Sequence, residues 1–522
     1  MQMELDELLA ALARPGAYPH PVERVETVQT HISAVFLAGP FAYKIKKPVN
    51  FGFLDFGSLE KREFFCREEV RVNRRLAPGV YLGVVPIVRD AGGLRIDGAG
   101  EPVEFAVKMR RLGPEHTFER LLEAGKLEPE HLRGLARRLA EFYAQAEGGP
   151  EVARGGSFQT VAGNCRENFA QIEPLVGRTL SRPVFERLRA LTEARLAELR
   201  GLIDARAKRG VPRDAHGDLR LEHVYADPEA GLLVVDAIEF NTRFRHADPV
   251  ADIAFLSMDL VFRGRTDLAR AFEDACLEAA GDEEGRALLP LYIAYRAVVR
   301  GKVEGFALLE AEVPEAEKRK DLACARGHFL LALGALAPPP ERPALLLAAG
   351  LPGTGKSVLA RGLAERAGFV RLATDVVRKE LAGIPETQKG PPEIYSEKMS
   401  DRTYAECLER AGALLFEGRR VVVDAAFVAD RRRARFLELA RGLRVPARVL
   451  VCAAPEEVVK PRLDARTGDA SDADWSIHRQ LAADWQPPGE AVAPLLRVLD
   501  AAGAPERTAA QAEGVLREAG LL

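Results

Sequence analysis

The chain has 522 residues, 47% of them hydrophobic, too many for a single core and enough for two or three domains. A formal net charge of −3 removes any global electrostatic case for nucleic-acid or membrane binding. Six cysteines (Cys66, Cys165, Cys276, Cys324, Cys407 and Cys452) stand far apart without a CxxC pair, which argues against a zinc knuckle or a disulfide framework and suits reduced thiols in the cytoplasm.

The amino terminus, MQMELDELLA, is acidic and helix-like and lacks the basic and apolar regions of a signal peptide. No apolar run reaches the ~18 residues that span a bilayer, so a soluble cytoplasmic protein without a membrane partner is expected. VERVETVQT, AVFLAG and FAYKIKK read as three short strands in a meander. A charged amphipathic helix follows from Ser58, SLEKREFFCREEVRVNRRL, and then strand material in VYLGVVPIV and EFAVKMRRL. Between them LDFGSL carries a literal DFG, which reads as a polar turn in which Asp55 precedes the Ser58 N-cap. Beyond residue 115 the pattern is mostly helical, predicting a small sheet-rich lobe followed by a larger helical lobe.

HGDLRLEHVY, residues 216 to 225, groups two histidines, an aspartate and a glutamate in a polar stretch shortly before the apolar run LLVVDAIEF. It is either a solvated turn between helix and strand or a loop that sets a base beside a metal ion. Catalysis would require a second carboxylate on a following strand, and VVDAIEF supplies Asp236. In FAYKIKK, strand alternation puts Lys44 and Lys46 on one face, as a phosphate-binding pair or as surface lysines of an edge strand. Glu239, three residues past Asp236, is either an extra carboxylate or a solvent-facing strand end.

These motifs resemble the aminoglycoside phosphotransferase and protein-kinase-like fold, in which HGDxxxxN and a later aspartate share two magnesium ions. The resemblance implies that Asp218 orients or deprotonates an acceptor hydroxyl, His216 braces the loop, His223 takes the asparagine position, and Asp236 binds metal. The A-x-K pattern, with Ala42 two residues before Lys44, assigns Lys44 to the α and β phosphates and Glu69 as its helix partner, with Glu68 close behind. A neutral imidazole at position 223 is a softer ligand than magnesium prefers. QTHISA stands where the fold has a glycine-rich loop and offers backbone amides near Ser33.

The clearest boundary is ALAPPPERPA, residues 335 to 344, where three consecutive prolines stop a helix-like run. The predicted domains are 1–337 and 344–522, joined by a linker at 338–343. Downstream, ALLLAAG, RRVVVDAAF and ARVLVCAA are apolar strands separated by helices, the rhythm of a parallel sheet with crossovers. The expected fold class is therefore α+β and α/β: a bilobal protein-kinase-like domain followed by a P-loop domain with a parallel sheet.

GLPGTGKS, residues 350 to 357, matches GxxxxGK[ST] between a strand and a helix. Gly350, Leu351, Pro352, Gly353, Thr354 and Gly355 form the phosphate-cradling turn, Lys356 neutralises the β and γ phosphates, and the Ser357 hydroxyl binds magnesium. Asp424 ends the strand VVVD, where it holds magnesium through water or caps the strand. In LATDVVRKEL, Asp375 and Arg378 share a helix face, as a base and a substrate-gripping guanidinium or as a capping aspartate with a solvated arginine. Arg462 and Arg466 lie in the polar segment PRLDARTGDASDADW, as lid residues meeting the transferring phosphoryl group or as an exposed basic helix end. RRRAR, residues 431 to 435, is a solvated helix face or a patch for a phosphate-bearing or nucleic-acid acceptor.

Residues 342–510 resemble the P-loop kinases that include gluconate kinases, zeta toxins and polynucleotide kinases, which implies ATP-dependent phosphorylation with Asp375 in the base position. With YKIKKPVNFGFLDFGSLEKREFFCREEVRVNRRL, HGDLRLEHVY and VVDAIEFN, nearly the whole chain is similar to a bacterial two-domain family that fuses an aminoglycoside phosphotransferase-like module to an AAA-type or P-loop ATPase. The expectation is an ATP- and magnesium-dependent phosphotransferase with two nucleotide sites and a small-molecule acceptor. Its alternatives are a catalytically silent first half that regulates the second, and a nucleic-acid end kinase.

Overall fold

In the computed structural model, which describes residues 5–50, 52, 54–90, 93–310, 313–465 and 471–522, the alternating segments near the amino terminus form an antiparallel sheet. Its strands are β1 (Val25–Gln29), β2 (Ser33–Ala38), β3 (Phe41–Lys46), β4 (Tyr81–Asp90), β5 (Gly93–Ile96) and β6 (Pro102–Arg110), in the order β1-β2-β3-β6-β4-β5. β3 is a central strand, paired with β2 and β6, and its alternation sends Tyr43 and Ile45 into an apolar cluster with Phe36, Ala106 and Ile87. Lys44 and Lys46 therefore point to the opposite face. That face is covered by the helix Leu59–Asn73, started by Ser58, whose hydroxyl accepts the Lys61 amide at 3.3 Å. The helix buries Arg62, Cys66, Glu69, Val70 and Asn73, one stripe at helical spacing, so Glu69 faces the lysines. Glu68, one residue away, turns outward and pairs with Arg71 at 2.9 Å.

This sheet belongs to the first of two compact units, Met1–Asn164 with Glu198–Ile293. Its helical part includes Pro129–Gln145, Thr266–Ala280 and the helix Val250–Phe262, almost every residue of which is buried. Two small antiparallel pairs frame the HGD loop: β7 (Arg213–Asp214) with β10 (His246–Ala247), and the hairpin of β8 (Val224–Asp227) and β9 (Gly231–Val234).

The second unit, Cys165–Ala197 with Ala294–Leu522, is built on five parallel strands. They are β11 (Ala344–Ala349), β12 (Phe369–Ala373), β13 (Arg420–Asp424), β14 (Ala447–Ala453) and β15 (Leu496–Asp500), ordered β12-β13-β11-β14-β15. Every residue of β11 is buried, as a central parallel strand covered on both faces must be. Segments 165–197 and 294–337, expected with the first half, group with this second unit. Lys302 Nζ donates to Asn168 Oδ1 and Gln171 Oε1 at 2.7 Å, and Arg187 Nη2 donates to Glu341 O at 2.7 Å, which ties these helices to one another and to the segment ahead of β11. Among the described residues no helix is long and apolar enough to cross a membrane.

Candidate functional site

In the first unit the β8–β9 hairpin returns the chain so that Asp236, just past β9, lies opposite β3 and the Leu59–Asn73 helix. Lys44 Nζ stands 2.6 Å from Asp236 Oδ1 and 2.9 Å from Glu69 Oε1. Lys46 Nζ meets Glu69 Oε2 at 2.8 Å and also pairs with Glu239. Glu69 thus holds two lysines, one on each oxygen. Glu239 is buried against Lys46 rather than facing solvent. Burial raises the Asp236 carboxyl, but Lys44 holds it well below the usual carboxylate range. Burial also lowers both lysines, yet the surrounding carboxylates keep their ammonium groups charged, with Lys44 raised well above its ordinary value.

Asp236 adopts φ +63° and its amide donates to the Tyr81 hydroxyl at 3.1 Å, while the next amide, Ala237, donates to Asn73 Oδ1 at 2.8 Å. Asp236 thus holds a left-handed backbone conformation, fixed by side chains from β4 and the glutamate helix. The HGD loop is held as tightly. The amides of His216 and Gly217 donate to the two oxygens of Asp252 at 2.8 and 2.9 Å, and the Tyr143 hydroxyl adds a third bond at 3.0 Å. His216 donates from Nε2 to Val235 O at 2.9 Å and accepts the Asp218 amide on Nδ1 at 3.2 Å, so it is neutral; burial pushes its pKa down to about 4.

Two sequence expectations change here. His223 Nδ1 donates to Asp218 O at 2.8 Å, and its Nε2 accepts from Arg220 Nη2 at 3.3 Å. Both ring nitrogens are engaged, so His223 leaves the set of metal ligands. Arg220 also contacts both carboxylate oxygens of Asp218 at 3.1 to 3.2 Å, a pairing across two residues of the loop that spacing did not suggest. In the turn ahead of β2, the Ser33 amide donates to Thr30 Oγ1 at 3.1 Å, so the expected phosphate-facing amide is occupied locally. Asp55 forms a turn with the Gly57 amide at 2.9 Å and pairs with Lys61, away from Asp236 and Lys44.

In the second unit the P-loop follows β11, which is flanked by β13 and β14, at the carboxyl edge of the sheet where the strand order switches. Gly355 caps the helix Lys356–Ala367 in the left-handed region, and Lys356 is buried without a hydrogen bond or ion pair to another described residue. Ser357 Oγ donates to Asp424 Oδ1 at 3.2 Å, and Arg371 donates to Asp424 Oδ2 at 2.6 and 3.1 Å. Arg371, two residues before the end of β12, gave no sequence signal, because only the parallel register Ala373↔Asp424 brings it there. The same register sets Asp375 beside the sheet edge, where Thr374 Oγ1 donates to Asp424 O at 3.2 Å.

Asp375 is half-buried and bonds to no other described residue. Nearby, Arg378 is buried, donates from Nη1 to Ile394 O at 3.0 Å and Ser400 Oγ at 3.1 Å, lies 5.3 Å from the Tyr395 ring, and leaves its Nε unpartnered. Burial, then Asp472, then Asp375 push the Tyr395 hydroxyl well up. Asp472, which carried no signal in the sequence, anchors its segment by accepting from Lys379 at 3.1 Å and from the Gly390 amide at 2.7 Å.

Arg462 differs from its expected role. Its guanidinium donates to Ala501 O, Ala502 O and Gly503 O at 2.8, 3.1 and 3.2 Å, because the loop after β15 turns three carbonyls toward it. With Gly503, Pro505 and Glu506 it lines a cleft of about 640 Å³ that opens onto residues 353–357. Arg466 lies outside the described residues. The RRRAR run is not one patch: Arg431 pairs with Glu397 at 2.6 Å, Arg432 with Asp401 at 2.9 Å, and Arg433 is buried 5.1 Å from the Trp485 ring.

Over 511 residues, 96% of this chain and 97% of theirs, the sequence is 34% identical to the uncharacterized protein Rv2004c of Mycobacterium tuberculosis (strain ATCC 25618 / H37Rv) and to the uncharacterized protein Mb2027c of Mycobacterium bovis (strain ATCC BAA-935 / AF2122/97). The chain belongs to their family. Residues 345–488, within the second unit, match the family model for an AAA domain. Among solved structures, the GDP complex of aminoglycoside 2'-phosphotransferase-IIIa is similar at 15% identity, covering 60% of this chain and 94% of that one with a TM-score of 0.37. A gluconokinase from Sinorhizobium meliloti 1021 is similar at 21% identity, covering 35% of this chain and 95% of that one with a TM-score of 0.27.

Asp218, Asp236, Lys44 and Glu69 are brought together in the first unit; Lys356, Ser357, Asp424 and Asp375 are brought together at the sheet edge of the second. Among the described residues no cluster of three or more His, Cys, Asp or Glu side chains forms a ready-made metal cage. A magnesium ion would suit such a donor set, since it takes one or two carboxylates and completes its shell with phosphate oxygens and water.

Proposed function

We propose that the protein is an ATP- and magnesium-dependent phosphotransferase whose P-loop unit transfers the γ-phosphoryl group to a hydroxyl of a small molecule, and whose first unit holds a second nucleotide. The observation that carries the reading is Asp375: a half-buried carboxylate that bonds to no other described residue and directly follows Thr374, whose hydroxyl donates to Asp424 O at 3.2 Å. Lys356 neutralises the β and γ phosphates, and the amides of 353–357 cradle them. Ser357 and Asp424 would hold magnesium, which when bound offsets charge on the bridging oxygens. Asp375 takes the proton of the acceptor hydroxyl as it attacks, Arg378 and Tyr395 orient the acceptor, and Arg462 rims the cleft that accepts the rest of the nucleotide.

A second reading, in which the first unit binds without transferring phosphoryl, is favoured by one observation. Arg220 donates to both oxygens of Asp218, occupying the carboxylate that would orient an acceptor hydroxyl. A nucleic-acid acceptor finds no support in residues 431–435, whose arginines at 431, 432 and 433 are paired or buried.

The test is transfer from γ-labelled ATP to a panel of sugars, sugar acids, aminoglycosides, nucleosides and oligonucleotides. Asp375→Asn should slow transfer by about 10²- to 10⁴-fold while leaving nucleotide affinity unchanged. Undiminished transfer by that variant would refute the assignment.

A further inference from the structure

We infer that the first unit's nucleotide site takes one divalent cation rather than two, with the Arg220 guanidinium fixed in the place of the second. The inference rests on the reading that this unit binds nucleotide. Around the loop stand Asp218, Glu222, His223 and Asp236, where the HGDxxxxN resemblance would set two cations, although among the described residues they close no ready-made cage. One of those positions is filled. Arg220 Nε lies 3.2 Å from each oxygen of Asp218, Nη2 reaches Asp218 Oδ2 at 3.1 Å and His223 Nε2 at 3.3 Å, and Nη1 pairs with Glu222.

The two histidine nitrogens leave no lone pair for a metal. Nδ1 must carry its hydrogen, because the Asp218 carbonyl 2.8 Å away only accepts. Nε2 must accept, because a guanidinium only donates. A histidine at this position is thus a matched acceptor for Arg220 and a poor ligand for magnesium. Arg220 does not lose its charge at any accessible pH, and its side chain is only 16% exposed. The turn that carries it is pinned from behind, where the Leu221 amide donates to Asp259 at 3.1 Å. A dication brought to the same spot would meet a permanent positive charge and no vacant nitrogen.

Asp236 is different. Lys44 holds its Oδ1, whereas His223 Nε2 stands 3.6 Å from Oδ2, beyond hydrogen-bond distance. One ion bound through this oxygen, completed by phosphate oxygens and water, suits magnesium. The residues therefore fit a single cation and do not fit a second.

The experiment counts Mn²⁺ by the loss of its free electron-spin resonance signal, in the full chain carrying Lys356→Ala to remove the P-loop site, with a saturating non-hydrolysable ATP analogue. Bound analogue is counted separately by equilibrium dialysis. The expected result is one Mn²⁺ per bound nucleotide, rising to two when Arg220→Gln and His223→Asn are added together, and remaining at one in Arg220→Lys, which keeps the charge. Two Mn²⁺ per nucleotide with Arg220 and His223 intact would overturn the inference without touching the nucleotide reading. No bound analogue in the Lys356→Ala chain would overturn both, and the separate nucleotide count tells the two failures apart.

Discussion

His216 shows how much a single ring can be asked to do. Its Nε2–H is committed to Val235 O and its Nδ1 lone pair to the Asp218 amide, so a proton added to Nδ1 would break the bond that orients the base loop. Burial accordingly holds its pKa near 4, below the ordinary value of 6.5. The depressed group is neutral when folded and protonates first in the unfolded chain, so its contribution to stability is complete above pH 6.5 and is lost as pH falls toward 4. Between pH 7.5 and 5 the loss amounts to about 2 kcal/mol. Urea unfolding of the first unit at the two pH values, compared with His216→Asn, isolates it; equal pH dependence in both proteins would remove His216 as the cause. The same scale shows why some residues were legible in the sequence and others were not. Strand alternation put Lys44 and Lys46 on one face, and the A-x-K resemblance then singled out Lys44 and its helix partner Glu69 from local sequence alone. Lys46 pairs with Glu239 across 193 residues and Arg220 turns back on Asp218 and His223, arrangements that depend on where the chain returns and on one side chain's rotamer.

At the scale of elements, the strand–loop–helix unit from β11 through Lys356–Ala367 was read directly, because its chemistry is contiguous and its glycines stand at positions where other residues fail. Gly350 has φ +138°, and a Cβ there would sit 2.6 Å from Cys452 O and 2.8 Å from Thr354 Oγ1. Gly355 has φ +96°, and a Cβ there would meet nothing within 4 Å, so a side chain at this position carries conformational strain alone. Gly350→Ala should therefore destabilise the second unit by about 2 to 5 kcal/mol, adding overpacking against β14 to backbone strain, and Gly355→Ala by about 1 to 3 kcal/mol. Chemical denaturation of both variants checks the order; a milder loss in Gly350→Ala would mean that the loop relaxes away from β14. The elements beside the P-loop were harder to read. Arg371 reaches Asp424 only through the β12–β13 register, and the carbonyls that capture Arg462 belong to a loop that follows β15, 39 to 41 residues further along the chain. A lid arginine and an arginine that rims the cleft beside the P-loop have the same local sequence.

For the whole molecule, the parallel and antiparallel halves were legible from strand rhythm and the triple proline, whereas the membership of 165–197 and 294–337 was not, because amphipathic helices carry no mark of which sheet they cover. The proposal of one nucleotide site in each unit makes a thermodynamic prediction. A ligand that binds only folded protein stabilises the unit holding it by about 2.7 kcal/mol at 100 times its dissociation constant, and leaves a unit that does not hold it unchanged. Scanning calorimetry of the full chain should resolve two unfolding components, both raised by magnesium and a non-hydrolysable ATP analogue. Lys356→Ala should abolish the rise in the component that Gly350→Ala lowers, and only there. Asp236→Asn should abolish the rise in the other, since the remaining Lys44 would keep its contact with Glu69 but lose the carboxylate proposed to hold the cation. If the analogue moves a single component, and Lys356→Ala cancels that movement entirely, the first unit is a module without nucleotide and the proposal of two sites fails, while the P-loop assignment stands.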